Sequence, residues 1–101
     1  MKTFQQKVLD LCKKIPRSRI TTYKEIGKAF HRRGQIYRAV GRALKENKYP
    51  IVIPCHRVVC SDGSIGGYSR GVKKKIALLK KEGVEVKNNK VVDFKKKLFS
   101  F

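Results

Sequence analysis

IVIPCHRVVC, residues Ile51 to Cys60, is the stretch that decides the fold of this chain. Its first three residues form an apolar run that predicts a short buried strand. Pro54 ends that strand, because proline fixes φ and has no N–H to donate to a neighbouring strand. A thiol (Cys55) and an imidazole (His56) therefore follow at the point where a rigid strand becomes a loop. Since the thiolate is the nucleophilic form of cysteine, the pair indicates either a reactive cysteine or a small buried thiol beside a surface imidazole.

The composition restricts the class of protein. A chain of 101 residues has room for one domain, residues 1–101, with one modest core. The formal net charge of +19 favours a polyanionic partner, and nucleic acid is the first candidate. A lysine-rich proteome, as found in thermophiles, is the alternative explanation of this charge. No apolar run has the length of a membrane span and the N-terminus lacks a signal-peptide core, so we expect a cytoplasmic protein with no membrane partner.

The three cysteines do not form a recognisable framework. They lie at positions 12, 55 and 60, which gives no CxxC pair and too few thiols for a set of disulfides. We therefore expect no structural zinc and no other metal. Cys12 falls on the apolar stripe of the first predicted helix, which favours a packed thiol.

Helix-start signals recur in the N-terminal half. Thr3 with Gln6 forms a capping box in front of an apolar stripe at helical spacing, and Thr22 with Glu25 repeats the signal. A third helix is predicted at about Gln35 to Glu46. Its predicted buried residues are Ile36, Ala39, Val40, Ala43 and Leu44.

The third predicted helix has a basic face. The second and third predicted helices are short and are joined by a glycine-containing turn at 31–34, and the third carries arginines. This arrangement indicates a helix-turn-helix. Small residues on the third predicted helix favour close approach to a duplex. The alternative interpretation is that its basic face is only solvated. The basic residues are Arg38, Arg42 and Lys45. The small residues are Ala39, Gly41 and Ala43.

The glycine-rich segment 64–71 follows a turn at Ser61–Gly63. Its glycines permit close backbone approach to a ligand, with Tyr68 and Ser69 as polar groups, or they mark a flexible connector. A helix is predicted at Val72–Lys81, with Gly83 as its C-terminal cap. Its predicted inward residues are Val72, Ile76 and Leu79.

The last part of the chain predicts a β-hairpin with its turn at Asn88–Asn89. An apolar tail after Lys97 either packs back on the domain or frays. The fold class is therefore mainly α with short strands and a C-terminal hairpin.

Two motifs in order carry a family resemblance. PCHRV at 54–58 with GGYS at 66–69 resembles the active-site region of the O6-alkylguanine-DNA alkyltransferases, the methylated-DNA–protein-cysteine methyltransferases. Flanking segments agree in order, and the resemblance covers residues 4–83, with 84–101 as a C-terminal extension. It implies a winged helix-turn-helix-like alkyltransferase catalytic domain. The flanking segments are Ile20–Ile26, Arg38–Gly41, Asn47 and Leu78–Gly83.

The resemblance implies a suicide reaction that repairs DNA. Cys55 would take the alkyl group from O6 of guanine in double-stranded DNA, and no cofactor would regenerate the thiol. A relay of Glu82, His56 and a water would activate the thiol. Asn47 would support the turn, and Tyr23 would donate a hydrogen bond to the departing guanine.

The resemblance also assigns a base pocket and a DNA surface. The backbone groups of Val58 and Ser69 would read the base, in a pocket lined by Tyr23 and Tyr68. Arg38 matches the arginine finger that fills the space of a flipped nucleotide, while the recognition helix enters the minor groove. A monomer associated with the nucleoid is implied. The DNA-contacting residues would be Tyr23, Arg38, Ala39, Gly41, Arg42 and Lys45.

The chain departs from the family pattern in three places. We expect the family's separate N-terminal domain to be missing, the segment from Tyr23 to Arg38 looks slightly longer than usual, and Arg70 stands where the loop commonly has glycine. Cys60 matches an occasional second cysteine, which we expect to be structural.

Two other functions remain open at this stage. One is a non-catalytic alkyltransferase-like protein that binds damaged DNA, a class in which the nucleophile is replaced, usually by tryptophan; the presence of Cys55 favours catalysis. The other is a basic winged-helix regulator with an incidental thiol. That reading leaves Asn47, His56, Tyr68 and Glu82 without a purpose.

Overall fold

The computed structural model describes residues 2–30, 36–49, 53–68 and 70–101. The helices are α1 (Phe4–Lys13), α2 (Tyr23–Ala29), α3 (Ile36–Lys45), α4 (Val72–Lys81) and α5 (Phe94–Lys97). The strands are β1 (Thr21–Thr22), β2 (Val58–Val59), β3 (Val86–Lys87) and β4 (Lys90–Val91), and a 3₁₀ turn at Cys55–Arg57 directly precedes β2. The predicted class, mainly α with short strands and a C-terminal hairpin, is confirmed. In this described part of the chain, no helix is long and apolar enough to span a membrane.

The predicted helix ends are confirmed by their hydrogen bonds. The Thr3 hydroxyl accepts from the Gln6 N–H while the Gln6 side chain accepts from the Thr3 N–H, which is a complete capping box. Thr22 caps α2 in the same way, because its hydroxyl accepts from the N–H of the third residue after it at 3.0 Å. After α4, Gly83 has a φ of +87° and donates to Lys80 O at 3.0 Å, a left-handed conformation that glycine adopts without strain.

The N-terminal layer packs α3 against α1 and α2. Gly27 of α2 permits this contact, because a Cβ there would lie 2.6 Å from the Tyr37 ring of α3. Ala39 was predicted to be buried, but it is exposed, since it shares the outer side of α3 with Arg38. Ala43 is 4% exposed, which confirms its predicted burial and removes it from the small residues expected to approach a duplex. The predicted turn at 31–34, the helix start at 35 and the strand residues 51–52 lie outside the described residues.

A small parallel sheet connects the two halves of the chain. Strand β1 pairs with β2, with Thr21 opposite Val58. On its other side β1 meets the C-terminal tail, where the Phe99 N–H donates to Ile20 O at 2.7 Å and the Thr21 hydroxyl donates to Phe99 O at 2.8 Å. The tail therefore packs back on the domain. Because β1 leads directly into Tyr23 and β2 follows the Cys55 turn, the pairing fixes these two segments side by side.

The hairpin β3–β4 covers a second apolar cluster. Its turn residues Asn88 and Asn89 both have positive φ, 51° and 62°, which suits the right-handed twist of two antiparallel strands. Lys87 lies directly opposite Lys90 in the register. The cluster beneath consists of Ile20, Val59, Ile65, Leu79, Val84 and Val91.

One prediction for α4 was wrong. Val72 is 39% exposed, and the inward position one turn before Leu79 belongs to Lys75, which is 1% exposed. The helix therefore buries a lysine where an aliphatic residue was expected.

The tail contacts predict a loss of stability on truncation. Removing residues 98–101 should lower the free energy of unfolding by about 3 kcal/mol, because three hydrogen bonds to residues 19–21 are lost, each with a net contribution of roughly 1 kcal/mol. Urea unfolding measures this change. Ser100→Ala is the control, and an unchanged midpoint in the truncated chain would contradict the prediction.

Candidate active site

The turn that carries Cys55 is set by Pro54. Pro54 has φ −79° and ψ 61°, an inverse γ-turn in which the Cys55 N–H donates to Ile53 O at 2.7 Å. The fixed φ of proline matches this turn. The Arg57 N–H then donates to Pro54 O at 3.0 Å and closes the 3₁₀ turn. Proline therefore directs the thiol out of the line of the preceding chain.

The thiol of Cys55 has one side-chain partner among the described residues. Asn47 Nδ2 donates to Cys55 Sγ at 3.3 Å and to Ile53 O at 3.1 Å. Asn47 Oδ1 accepts from the Tyr49 N–H at 2.9 Å, which fixes the orientation of the amide.

Glu82 contacts both residues that follow the thiol. Its Oε1 lies 3.1 Å from Nε2 of His56, which is fully buried. Arg57 donates from Nε to Oε1 at 2.8 Å and from NH2 to Oε2 at 2.6 Å, and its NH1 donates to Ile15 O at 2.8 Å. This bidentate pair fixes the plane of the carboxylate. The Glu82 side chain is therefore held by both partners and is only 10% exposed.

The protonation states follow from burial and these contacts. Burial lowers the pKa of His56, although the Glu82 carboxylate opposes the shift, so the imidazole is neutral at pH 7. Burial alone would raise the pKa of Glu82, but the hydrogen bonds from Arg57 and His56 outweigh it, so that pKa is lowered and the carboxyl is ionised. His56 Nδ1 is buried with no hydrogen-bond partner among the described residues. The imidazole is thus a base with a free acceptor position.

A pocket of about 330 Å³ opens beside the thiol, within the size range of small-ligand sites. Burial raises the pKa of Tyr23 to about 12, so its hydroxyl keeps its proton and remains a donor. The Tyr68 hydroxyl is buried and has no partner among the described residues. The pocket lining consists of Tyr23, Gly41, Leu44, Lys45, Cys55, Gly67 and Tyr68.

Gly66 lets the glycine-rich loop lie against the pocket wall. A Cβ at this position would be 3.1 Å from Cys60 Sγ and 3.5 Å from the Tyr23 hydroxyl, and its φ of +72° is strained for other residues. The loop therefore reaches Tyr23 and Cys60 only because this residue has no side chain.

The structure brings several predicted pocket residues together and leaves others apart. Tyr23, Cys55 and Tyr68 share the pocket, with Gly41 and Lys45 of α3 at its edge. Val58 is fully buried and its carbonyl accepts from Lys75 Nζ at 2.7 Å, and Ser69 lies outside the described residues. The site roles predicted for these residues stay predictions.

The outer side of α3 continues from the pocket into an exposed basic surface. Arg38, Ala39 and Arg42 are exposed on it. A Cβ added at Gly41 would meet no atom within 4 Å, so packing inside the described protein does not require glycine there. The small residue instead leaves room for a molecule outside the chain.

Two polar residues beside the thiol were not expected from the sequence. Arg57 was passed over because nothing in one sequence pairs it with a carboxylate 25 positions away. Lys75 was passed over because it lies in a run of three lysines, although its spacing of four from Leu79 places it on the inward stripe. Within the described residues, no group of three or more His, Cys, Asp or Glu side chains is placed to hold a metal ion.

Comparison with known proteins bears on this site. The family described as 6-O-methylguanine DNA methyltransferase, DNA binding domain, matches residues 3–84. The chain belongs to this family. The match includes the Cys55 turn, the glycine-rich loop and Glu82, and it ends where the hairpin begins.

Archaeal members of the family are close in sequence. The methylated-DNA–protein-cysteine methyltransferase of Methanothermobacter thermautotrophicus is 47% identical over 83 residues, which cover 82% of this chain and 46% of that protein. The crystal structure of the O6-methylguanine-DNA methyltransferase of Pyrococcus kodakaraensis superposes with a TM-score of 0.73 at 46% identity and covers 83% of this chain and 48% of that one. The chain thus spans about half the length of the curated relatives it matches.

A second similarity covers the whole chain. The structure of S. pombe Atl1 in complex with damaged DNA containing O6-carboxymethylguanine has a TM-score of 0.82 at 26% identity and covers 100% of both chains. The predicted alkyltransferase-domain fold is confirmed by these superpositions, and this one extends it over residues 84–101.

The bidentate Arg57–Glu82 ion pair, the Arg57–Glu82 fork, predicts that even a conservative change of Arg57 lowers the stability of the fold. Arg57→Lys should lower the free energy of unfolding by about 2 kcal/mol, because an ammonium cannot hold both carboxylate oxygens and Ile15 O together. Arg42→Lys, on the exposed side of α3, is the matched control and should change stability little. Equal midpoints for the two variants in urea unfolding would show that the fork adds no stability.

Proposed function

We propose that this chain repairs DNA by moving an alkyl group from O6 of guanine to the sulfur of Cys55, once per molecule. The observation that supports this is the place of Cys55, in the wall of a ligand-sized pocket with the Asn47 amide on its sulfur. The thiol itself is the acceptor, so the reaction needs no cofactor. The activity of the longer relatives is assigned to this chain only as part of this proposal.

The thiol is activated by the buried pair beside it. Neutral His56 takes the proton of Cys55 through a bridging water at Nδ1, the nitrogen without a partner among the described residues. The imidazolium that forms is stabilised by ionised Glu82 at 3.1 Å from Nε2. Arg57 keeps the carboxylate in the plane that this contact needs. The arrangement follows the general logic of a nucleophile, a base and an orienting acid.

The displacement then occurs at the alkyl carbon. The new bond joins Cys55 Sγ to that carbon, the bond from carbon to O6 breaks, and its electron pair remains with the purine. The purine takes up a proton as it leaves, and the Tyr23 hydroxyl, which keeps its own proton, donates a hydrogen bond to it. Tyr68 supplies an aromatic wall, and the backbone of Val58 and Ser69 reads the base edge. The products are S-alkylcysteine and repaired guanine.

Recognition of double-stranded DNA is assigned to α3. The target carbon lies inside the base stack, so the nucleotide must be flipped into the pocket. Arg38 fills the vacated space, Ala39 and Gly41 allow the helix to lie in the minor groove, and Arg42 and Lys45 contact phosphates. Gly41 and Lys45 also line the pocket, which joins the DNA surface to the thiol. A monomer in the cytoplasm, associated with the nucleoid, is sufficient for this reaction.

One observation favours a second candidate function. The chain covers the whole of S. pombe Atl1, whereas it covers about half of the methyltransferases it matches. A protein of this size that binds alkylated guanine and marks it for other repair would need the pocket and α3 but no reactive thiol. The presence of Cys55 with its donor and base favours transfer over marking.

The transfer predicts a single mass change. Incubation with a duplex containing O6-methylguanine should add one methyl group to the wild-type chain and none to Cys55→Ser, as measured by intact-mass spectrometry. Cys60→Ser is the matched control and should gain the methyl group like wild type. Tight binding of the duplex without added mass would favour the marking function, and methylation of Cys55→Ser would refute the assigned acceptor.

The basic side of α3 predicts a specific change in salt dependence. The double variant Arg42→Ala with Lys45→Ala should reduce the slope of log affinity against log salt by about 2, because each lost phosphate contact removes roughly 0.9 from the slope. Lys95→Ala with Lys96→Ala removes the same charge from exposed positions of α5 and should leave the slope unchanged. Fluorescence anisotropy of a labelled duplex over a salt series measures both. An unchanged slope in the α3 variant would place α3 outside the interface, and a reduced slope in the α5 variant would add α5 to it.

A further inference from the structure

Lys75 is a buried lysine whose side-chain partners, among the described residues, include no carboxylate. It is 1% exposed, whereas its neighbours Lys73 and Lys74 are exposed on the same helix. Its Nζ donates to Val58 O at 2.7 Å, to Ile65 O at 2.6 Å and to Gly67 O at 3.1 Å. All three donors of the ammonium are therefore used, each on a backbone carbonyl.

The three carbonyls belong to two segments beside the pocket, the strand after Cys55 and the glycine-rich loop. Val58 begins the strand that follows Cys55, Gly67 lines the pocket, and Ile65 leads into the loop that carries Tyr68. We infer that Lys75 is a positioning residue that clamps the glycine-rich loop to the strand after Cys55 and so sets the shape of the base pocket. The consequence for catalysis rests on the alkyl transfer proposed above.

Packing alone does not account for a lysine at this position. Burying an ammonium without a carboxylate is costly, and an aliphatic side chain would join α4 to the core with no such cost. What an aliphatic residue lacks is a donor for the three carbonyls, which would then be buried and unpaired. The start of the loop is also held by the hairpin, where the Ile65 N–H donates to Asn89 O at 2.9 Å. Beyond Ile65 the side chains offer less, since Gly66 has none and a Cβ at Gly67 would meet no atom within 4 Å.

The clamp depends on the proton of Lys75. Burial lowers the pKa of Lys75 to about 8, and the thiols of Cys60 and Cys55, which face it, oppose that shift. His56 also faces it but is already neutral in this range, and Tyr23 titrates only near 12. Below about pH 8 the ammonium makes three charge-assisted hydrogen bonds. Above that pH the neutral amine has two donors, so one carbonyl loses its partner and the loop loosens.

Stability and pocket order should then respond to pH in opposite directions. An unfolded lysine keeps its proton up to about pH 10.4, so between about pH 8 and 10.4 the unfolded chain binds more protons at this site than the folded chain. The Lys75 contribution to the free energy of unfolding therefore rises with pH across that window. Over the same pH window the hydrogen bonding of Lys75 to the glycine-rich loop weakens. A lysine with a merely structural role would give no such divergence.

The test compares Lys75→Met, which keeps the length of the side chain without donors, with Lys75→Arg, which keeps the charge at all accessible pH values. A Cys60→Ser background removes one facing thiol, and Lys74→Met is the exposed control. Single-turnover transfer from an O6-methylguanine duplex should be slowed about tenfold or more in Lys75→Met, with duplex affinity unchanged, because a misplaced pocket wall disturbs the reacting geometry. The Cys60→Ser protein that keeps Lys75 is the parent of these variants. Its transfer rate, divided by that of Lys75→Arg, should fall as the pH rises above about 8.

A second readout does not depend on the chemistry. Amide hydrogen exchange of Gly66, Gly67 and Tyr68 should show lower protection in Lys75→Met, and in the parent above about pH 8. Unchanged protection and an unchanged rate in Lys75→Met, or a Lys75 pKa near its ordinary value by NMR titration, would overturn the clamp. If the parent transfers no methyl group at any pH, the proposed function fails, and the exchange data still decide the clamp. If Lys75→Met does not fold, the pH series of the parent and Lys75→Arg decides it.

Discussion

The carboxylate of Glu82 joins three separate parts of the chain beside the Cys55 thiol. It accepts from His56 and Arg57 in the turn that carries Cys55, and Arg57 in turn donates to the carbonyl of Ile15 at the end of the first helical segment. A buried carboxylate is tolerated only when its oxygens are paired. The position of α4, the cap at Gly83 and the conformation of the thiol turn are therefore mutually dependent. The reactive group is held by an ionic contact that never enters the pocket.

Two buried cations hold the backbone around the thiol in different ways. Arg57 is neutralised by a carboxylate and fixes side-chain geometry, whereas Lys75 is surrounded by carbonyls and fixes loop geometry. Because both act from behind the pocket, most of the pocket surface is formed by neutral groups such as Tyr23, Tyr68 and Gly67. A neutral, partly aromatic wall suits a planar base that enters without its phosphate. The positive charge of α3, which we propose binds the duplex, remains outside the pocket.

The sequence predicted what local rules control. Helix caps, the bounds of α4, the hairpin turn at Asn88–Asn89 and the class of fold follow from signals within a few residues. The helical phase of α4 was wrong because hydrophobicity alone ranks Val72 above Lys75, whereas the three carbonyls that satisfy the lysine come from other segments of the chain. The Arg57–Glu82 fork was missed for the same reason. Polar contacts between residues far apart in the chain leave no periodic pattern in the sequence. The order of motifs therefore predicted the site, whereas the contacts that support it became visible only in the folded structure.

The facing pair Lys87 and Lys90 on the hairpin has a consequence for the chain as a polyelectrolyte. Like charges opposite each other in a sheet repel, and the chain as a whole carries a formal net charge of +19. Added salt screens this repulsion and favours the compact state, but the same ions compete with the protein for phosphate. Folding and DNA binding thus place opposite demands on ionic strength. Under the proposed function a bound duplex would resolve the conflict, because the nucleic acid would serve as the counterion of the protein and stabilise its fold.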